Sequence, residues 1–360
     1  MDDSQQNNNH NPAAVIPYIQ HHNSGIIRQK PEDFIVEEIP LFQPAGEGEH
    51  LWLKIRKINA NTDWVAGQLA KWLGVKRQDV GFAGLKDRNA VTTQWFSIYL
   101  PGKQIAELQH QIPEQLADSI SILEQTRHQK KLRRGVLKGN HFNITIREFA
   151  GDAASMESTI KILQARGIPN YFGAQRFGHN HQNIQHASDW FSGKRKPKNR
   201  QQRSIYLSAA RSLIFNQILA ERVTQNNWDK ALTGDIFMLQ GSHSWFQDNI
   251  NEKLSNRIKN FDIHPSGALW GRGELQTTDS AAQLELSIAQ QHSQLCQGLE
   301  KHGLKHERRA LRVAVPDLTA NWLDEATLRI CFTLPAGAYA TVLVSHLCKM
   351  VGQDRQSGKP

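Results

Sequence analysis

The sequence is poor in cysteine, in long apolar runs and in nucleotide-binding motifs. Its 360 residues include three cysteines, Cys296, Cys331 and Cys348, and no two of them have the C-x-x-C spacing. A disulfide framework is therefore excluded, and this cysteine usage is typical of a reducing compartment. No apolar run approaches the ~18 residues that span a bilayer. The sequence has no Walker loop, dinucleotide fingerprint or Gly-x-Ser-x-Gly elbow, so it predicts no nucleotide cofactor.

The two ends of the sequence are polar. The first residues, MDDSQQNNNHN, lack the basic and apolar regions of a secretory signal. We therefore predict a disordered leader at residues 1–14, a flexible tail at residues 352–360 and a cytoplasmic location.

Basic residues are in excess and form two clusters. The net charge is +9, which favours an anionic partner, with nucleic acid as the first candidate and a membrane surface as the second. The first basic cluster consists of Arg127, Lys130, Lys131, Arg133, Arg134 and Lys138, and the second of Lys194, Arg195, Lys196, Lys198, Arg200 and Arg203. Neither cluster contains an acidic residue, so both are candidates for contacts with the phosphates of a nucleic acid. The alternative interpretation is two solvated loops.

The apolar pattern predicts strands at both ends of the sequence and helices in the middle. Apolar and polar residues alternate over 142–147 and again over 328–334, whereas Tyr206–Val223 and Ser280–Gly303 have helical spacing. This order favours an α+β chain in which a domain with a mixed or antiparallel sheet is interrupted by an inserted, mainly helical domain.

The segment GFAGLKDRNAVTTQWFS, from Gly81 to Ser97, contains one aspartate between two cations. Lys86 and Arg88 flank Asp87 directly after a Gly-x-x-Gly turn, and two neighbouring cations favour the ionised form of a carboxylate. Asp87 is therefore a candidate nucleophile or base facing a polyanion. The same three residues also fit an ordinary solvated turn.

Three further segments carry amides and aromatic rings. Asn140 and Phe142 open a strand, and they can contact the edge and the face of a base or form a strand turn with a core Phe. NYFGAQRFG, at Asn170–Gly178, and PAGAYA, which contains Tyr339, read as turns or as loops against RNA. Three histidines share one loop without cysteine or carboxylate partners, so no metal site is predicted; they are His179, His181 and His186.

Six ordered segments together resemble the tRNA pseudouridine synthase D (TruD) family. They are KPEDFIVEE, GFAGLKDRNAVTTQWFS, RHQKKLRRGVLKGNHF, IPNYFGAQRFG, LSAARSLIFNQ and LPAGAYAT. The resemblance extends from about Ile26 to about Val351 and implies a pseudouridine-synthase catalytic domain that carries an inserted domain. By this resemblance the catalytic domain comprises residues 15–166 and 315–351, and the inserted domain residues 167–314.

The resemblance also implies an activity and its residues. The family isomerises uridine at position thirteen in the D arm of tRNA, usually tRNA-Glu, to pseudouridine without a cofactor. Asp87 matches the catalytic aspartate; Phe34, Asn140, Phe142 and Tyr339 match the uridine pocket, and Arg28 and Lys86 lie near it. The family usually has Phe at the place of Tyr339; tyrosine keeps the stacking face, but its hydroxyl needs water or another hydrogen-bond partner. Phe142 cannot take a proton, which leaves the base that removes the C5 proton open between Asp87 and water.

Two rival functions share some of these features. A non-catalytic RNA-binding module needs the basic clusters and the aromatic rings but not Asp87. An RNA methyltransferase needs a glycine-rich cofactor loop after its first strand, and no convincing loop is present. The sequence therefore favours the synthase, with tRNA as its partner, no membrane or protein partner, and a monomeric state.

Overall fold

The structure is a computed structural model that describes residues 15–102 and 112–351. The predicted leader and tail lie outside these residues. The described strands are β1 (Ser24–Ile27), β2 (Phe34–Pro40), β3 (His50–Ile58), β4 (Val80–Phe82), β5 (Val91–Tyr99), β6 (Ile120–His128), β7 (Leu137–Ala150), β8 (Ile168–Pro169), β9 (Ile236–Leu239), β10 (Trp245–Gln247), β11 (Ile263–Leu269), β12 (Glu307–Ala310), β13 (Arg312–Val313), β14 (Thr319–Asp324), β15 (Thr327–Pro335) and β16 (Lys349–Met350).

The described helices alternate with these strands and are concentrated in the middle of the chain. They are α1 (Thr62–Trp72), α2 (Glu114–Ala117), α3 (Ala153–Arg166), α4 (Gln182–Phe191), α5 (Arg200–Thr224), α6 (Glu252–Lys259), α7 (Asp279–Gln291), α8 (Ser293–Lys301) and α9 (Ala340–Ser345). Helix α1 begins after Asn61, whose side chain accepts a hydrogen bond of 2.9 Å from the Asp63 amide in the first turn.

The two ends of the chain form one mixed sheet. Its strand order is β14-β15-β7-β2-β5-β3-β6; in addition β1 pairs with β7 and β16, and β4 pairs with β5. The β2–β5 and β1–β16 pairs are parallel and the others are antiparallel. The predicted α+β fold with strands from both ends of the chain is confirmed.

The middle of the chain forms a second, smaller sheet surrounded by helices. Its order is β10-β9-β11-β12, and α5 packs on β11. The chain enters this region through β8 and leaves it through β13, and these two short strands pair with each other. Entry and exit therefore lie side by side.

The prediction of one long helix over Ser280–Gly303 is wrong. His292 has φ −114° and ψ 31°, so α7 ends at Gln291 and α8 begins at Ser293. The apolar spacing does not reveal this break, because both helices continue to pack against α5.

One row of side chains across the large sheet explains where its polar residues meet. Residues paired between neighbouring strands point to the same face of a sheet. The registers align a row on one face that consists of Ile120, Lys57, Thr92, Val36, Phe142 and Phe332. Ile120 belongs to one hydrophobic cluster and Val36 to another. Lys57 and Thr92 therefore lie between two apolar cores.

Candidate active site

A strip of buried polar side chains separates the two hydrophobic clusters on this face of the large sheet. We call it the polar seam; it consists of Glu38, Lys57, Thr62, Lys86, Thr92 and Gln94, and their side chains are almost inaccessible to solvent. One hydrophobic cluster includes Phe34, Val36 and Phe142, and the other includes Ile55, Ala60 and Phe96. Buried polar groups need partners, and the seam obtains them from the loop that follows β4.

The loop between β4 and β5 carries Asp87, and the polar seam fixes its backbone. Gln94 Nε2 donates to the Gly84 carbonyl at 3.1 Å, and the Lys86 amide donates to Thr62 Oγ1 at 3.0 Å. Lys57 Nζ donates to the Asp87 carbonyl at 2.9 Å. The backbone is thus held from below, while the Asp87 side chain is 42% exposed. A carboxylate in this position is rigidly presented and accessible to a large substrate.

Arg28 is the cation that contacts Asp87. Its Nη2 lies 3.4 Å from Asp87 Oδ1, and its guanidinium lies 3.9 Å from the ring centre of Phe34. Arg28 also has φ +61°, a conformation that a non-glycine residue adopts at some energetic cost. Such outliers are concentrated at functional sites, because the surrounding structure must hold them in place.

Lys86, which was expected to support the charge of Asp87, pairs with a different carboxylate. The Lys86 ammonium instead lies 2.7 Å from Glu38 Oε2, and the two side chains are 5% and 1% exposed. Lys86 therefore reaches down into the polar seam, whereas the Asp87 carboxylate is partly exposed and contacts Arg28. Arg88, the other predicted neighbour, is exposed.

Three of the pocket residues predicted from the sequence, Phe34, Asn140 and Phe142, lie on the same face of the sheet. Asn140 pairs with Glu38 on one side and Leu334 on the other. The Phe34 and Phe142 rings meet edge to face at 6.2 Å, and Phe142 stacks on Phe332 at 5.2 Å. Phe34 is 1% exposed because the Arg28 guanidinium covers it, so the accessible planar surface above it is that of Arg28.

Three buried polar atoms of the predicted pocket and the polar seam have no hydrogen-bond partner within the described residues. They are Arg28 Nε, Thr92 Oγ1 and Asn140 Oδ1. Arg28 Nε belongs to the side chain that contacts the exposed Asp87 carboxylate, so a molecule bound there can supply the hydrogen bond that this atom lacks.

Tyr339 has the hydrogen-bond partner that its hydroxyl requires. Arg176 Nε donates to the Tyr339 hydroxyl at 3.0 Å, and Arg176 Nη1 donates to Ser208 Oγ at 2.8 Å. The Tyr339 ring also packs so tightly on Gly173 that an added Cβ there would lie 2.8 Å from Tyr339 Cδ1. The turn after β15 is therefore fixed by residues from the middle of the chain.

The two basic clusters lie on surface loops and on the ends of the strands and the helix that flank them. The first occupies the end of β6 and the loop that leads to β7, and the second extends from the loop after α4 into α5. Lys130, Lys131, Arg133, Lys138, Lys194 and Lys196 are exposed, and Arg195 is half-buried. Some members also make contacts within the protein: Arg127 donates to the Leu100 carbonyl at 3.0 Å, Lys131 Nζ donates to the Gln78 carbonyl, and the Arg134 guanidinium lies 3.9 Å from the ring centre of Phe82.

Two charged residues of the polar seam, Glu38 and Lys57, were not predicted as part of the site. A signal for both was present in the alternation. Glu38 continues the face of Phe34 and Val36, and Lys57 continues the face of Leu51, Leu53 and Ile55. A charged residue at a buried position of a strand pattern indicates a specific partner, although the pattern cannot name it.

Burial strongly perturbs the Lys57 ammonium. The loss of hydration lowers the pKa of Lys57 from its usual value near 10.5 to about 8, and the nearby charge of Lys86 lowers it further, whereas Asp87 opposes the change.

Within residues 15–102 and 112–351, no group of three or more histidine, cysteine, aspartate or glutamate side chains could hold a metal ion. In the same residues no helix has the length and apolar character required to cross a membrane.

Comparison with known proteins gives consistent matches over nearly the whole chain. A family model described as tRNA pseudouridine synthase D (TruD) matches residues 18–191 and 187–347. A protein named tRNA pseudouridine synthase D from Hydrogenovibrio crunogenus is 44% identical over 333 residues, which cover 92% of this chain and 95% of that protein. A protein of the same name from Methylococcus capsulatus is 46% identical over 324 residues, covering 90% of each chain.

A solved structure has the same overall architecture. It is described as a putative tRNA pseudouridine synthase D from Methanosarcina mazei, and it matches 94% of this chain and 97% of its own with a TM-score of 0.73. The two sequences are 20% identical, so this likeness concerns the fold alone.

Proposed function

We infer what this chain does from the family to which it belongs: it is a member of the tRNA pseudouridine synthase D (TruD) family. It is an isomerase that converts uridine in tRNA to pseudouridine. We further propose that the target is the uridine at position thirteen in the D arm, with tRNA-Glu as the substrate, and that Asp87 is the catalytic residue. The single observation that carries the catalytic assignment is the ion pair of the exposed Asp87 carboxylate with Arg28 above the polar seam.

The reaction requires a carboxylate that reaches the nucleotide and is held still. The bond from N1 to C1′ breaks, the uracil turns, C5 bonds to C1′, and the proton leaves C5 while N1 gains one. Atoms balance without an oxidant, a reductant or a co-substrate. Asp87 can attack C1′ or the pyrimidine ring, since a carboxylate is a competent nucleophile in either position. Holding its backbone at the Asp87 carbonyl limits the loss of orientation that would slow such an attack.

We propose that the target uridine leaves its stack and binds above Phe34, Phe142 and Asn140. Removing a base from its stack costs a few kcal/mol, which stacking and edge hydrogen bonds offset. The unpartnered Asn140 Oδ1 can accept from the N3–H of uracil, and the Arg28 guanidinium offers a planar face over Phe34. Tyr339 supplies the remaining aromatic surface in a position fixed by Arg176. Lys86, held by Glu38, supports the loop rather than the base. Tritium release from labelled tRNA also tests single substitutions at these positions.

The substrate assignment predicts that one particular uridine releases its C5 hydrogen. With C5-tritiated uridine in unmodified tRNA-Glu, we expect the wild-type protein to release one equivalent of tritium per tRNA. A transcript with cytidine at position thirteen should release none, although its other uridines also carry the label. Equal release from both transcripts would mean that a different uridine is the target. Absence of release from either transcript, despite tight binding, would favour the non-catalytic RNA-binding function.

We propose that the inserted domain comprises residues 167–314 and the catalytic domain residues 15–166 and 315–351. The pairing of β8 with β13 supports these boundaries, because a domain inserted into another must leave close to where it enters. The proposed working state is a cytoplasmic monomer that acts on tRNA without a protein partner. Light scattering of the free protein measures that state directly.

We propose that both basic clusters contact the tRNA backbone; the residues are Arg127, Lys130, Lys131, Arg133, Arg134, Lys138, Lys194, Arg195 and Lys196. Replacing Lys194, Arg195 and Lys196 together by alanine should weaken tRNA binding and make it less dependent on salt. Each lost phosphate contact lowers the magnitude of the log–log salt slope by about 0.7–0.9. Fluorescence titrations from low to high salt measure this slope. The control variant carries alanine at Lys161, Lys253 and Lys259, which are exposed lysines outside both clusters. An equal change in both variants would argue against a specific backbone contact.

A further inference from the structure

Lys57 is a buried lysine without a carboxylate partner. It is 0% exposed, and none of the ion pairs among the described residues includes it. Its ammonium donates instead to two backbone carbonyls, that of Ala60 at 2.7 Å and that of Asp87 at 2.9 Å. Burying an ammonium is energetically costly, and two carbonyls compensate it less well than a carboxylate does.

These two carbonyls belong to chain segments that Lys57 holds together. Ala60 directly precedes Asn61, the residue that caps α1, and Asp87 is the exposed carboxylate of the loop after β4. Thr62 and Lys86 join the same two segments a second time through the hydrogen bond from the Lys86 amide. The start of α1 and the Asp87 backbone therefore form one rigid unit with the sheet beneath.

If this position served only to pack the core, an apolar side chain would stabilise the fold more than a lysine does. Residues 51, 53 and 55, on the same face of β3, are apolar and fully buried. The charged end of Lys57 is placed directly behind the backbone of the residue proposed to attack the nucleotide. We propose that Lys57 is a positioning residue for pseudouridine formation, which orients the Asp87 carboxylate by binding the Asp87 and Ala60 carbonyls. This inference rests on the proposed catalytic role of Asp87.

The groups that surround Lys57 determine how its charge responds to pH. Asp87 and Lys86 face it from the loop, and their own partners are Arg28 and Glu38. Its neighbours on the sheet, Thr92 and Ile120, are uncharged, and before α1 it contacts the uncharged Ala60 carbonyl. Because its pKa is about 8, Lys57 is an ammonium at neutral pH and a neutral amine in alkaline solution. A neutral amine is a weaker hydrogen-bond donor, so the hydrogen bond from Lys57 to the Asp87 carbonyl weakens as the pH rises through about 8.

Activity and stability respond to this titration with opposite signs. The pKa of Lys57 is lowered in the folded protein, so between about 8 and 10.5 the unfolded chain binds more protons. The contribution of Lys57 to the free energy of unfolding therefore increases with pH over this interval. If Lys57 had a merely structural role, turnover would not fall over the pH interval in which its contribution to stability rises.

The test compares three variants, Lys57→Met, Lys57→Arg and Lys54→Met. Lys54 is on the same strand but on the opposite face, so Lys54→Met removes the same charge away from the polar seam. We would measure single-turnover tritium release from tRNA-Glu at saturating enzyme, tRNA affinity, thermal unfolding, and amide hydrogen exchange of the peptide that spans residues 83–90.

We expect Lys57→Met to slow tritium release on the order of 100-fold, since a displacement of about 1 Å at a reacting group has effects of that size. Its tRNA affinity and unfolding temperature should stay close to those of the wild type, and exchange in residues 83–90 should accelerate. Lys54→Met should match the wild type in every measurement. In the wild type, release should fall as the pH rises through about 8, and Lys57→Arg should not show this fall because a guanidinium stays charged.

Three results would overturn the assignment. They are tritium release by Lys57→Met within threefold of the wild type, unchanged exchange of residues 83–90, or a loss of activity that only follows a loss of folded protein. If the wild type releases no tritium, the proposed function fails, and hydrogen exchange still reports whether Lys57 holds the Asp87 backbone. Faster exchange with normal turnover would mean that Lys57 anchors the loop without serving the reaction.

Discussion

The Asp87→Asn variant should bind tRNA as the wild type does and release almost no tritium. Asparagine keeps the shape of the side chain but removes the negative charge, so it can neither attack the nucleotide nor accept its proton. Loss of a covalently acting catalytic group commonly reduces turnover by on the order of 10⁴-fold or more. Binding should persist because contacts of cationic side chains with phosphates supply most of the affinity of such complexes. Asp87 is an anion and cannot make such a contact. Single-turnover tritium release and a parallel binding titration measure the two effects separately.

The surroundings of Asp87 limit the effect of this substitution on the rest of the structure. Its partner Arg28 is 25% exposed, so water can solvate the guanidinium when the carboxylate is gone. The matched control is Asp63→Asn, which removes another exposed carboxylate that pairs with Arg77 and Arg134. This control should isomerise tRNA normally. If Asp87→Asn retained more than a tenth of the wild-type rate, Asp87 would not be the catalytic residue.

The second large effect should follow from breaking the Glu38–Lys86 pair. The two charged groups lie 2.7 Å apart and are almost fully buried. Replacing Glu38 by Leu leaves the Lys86 ammonium buried without its counter-charge, and removal of one partner of a buried pair typically costs about 3–5 kcal/mol. The Trp95 amide, which donates to Glu38 Oε1 at 3.3 Å, loses its acceptor as well. Urea unfolding monitored by circular dichroism measures the change in the free energy of unfolding.

A double variant separates the cost of the unpaired charge from the loss of the pair itself. Glu38→Leu combined with Lys86→Met removes both charges, and an apolar replacement of a buried pair is often close to neutral. Most of the lost stability should therefore return. Turnover should not return with it, because the Lys86 side chain no longer anchors the loop that carries Asp87. Equal stabilities of the single and double variants would show that the pair contributes little, and a wild-type rate in the double variant would show that this anchor is dispensable.

Much of the fold follows from local patterns. Strands over 142–147 and 328–334 and the mixture of a terminal sheet with a helical middle were predicted from alternation and helical spacing. The break at His292 was not, because both halves of that segment bury an apolar face against α5 and the pattern continues through the bend. Local sequence reports which face is buried, whereas the path of the backbone between two buried faces depends on the neighbour.

The candidate site divides in the same way. The Asp87 segment and the order of the six motifs were sufficient to predict the family, and the family model and the related proteins confirm it. The structure pairs Asp87 with a different cation from those expected. Adjacent residues in sequence seemed the natural choice, but Lys86 turns into the polar seam and binds Glu38. Lys57 was overlooked, although the strand alternation already places it on the buried face.

The sequence by itself determined most of the elements, the family and the candidate carboxylate, because each depends on residue types at fixed spacing along the chain. Only the tertiary structure decided which charges meet. Arg28 reaches Asp87 because β1 joins the sheet beside β7, and Lys57 reaches the Asp87 carbonyl because β3 and β5 pair in one register. Electrostatic partners depend on distances in space, and these are set by strand pairing between segments that lie far apart in the sequence.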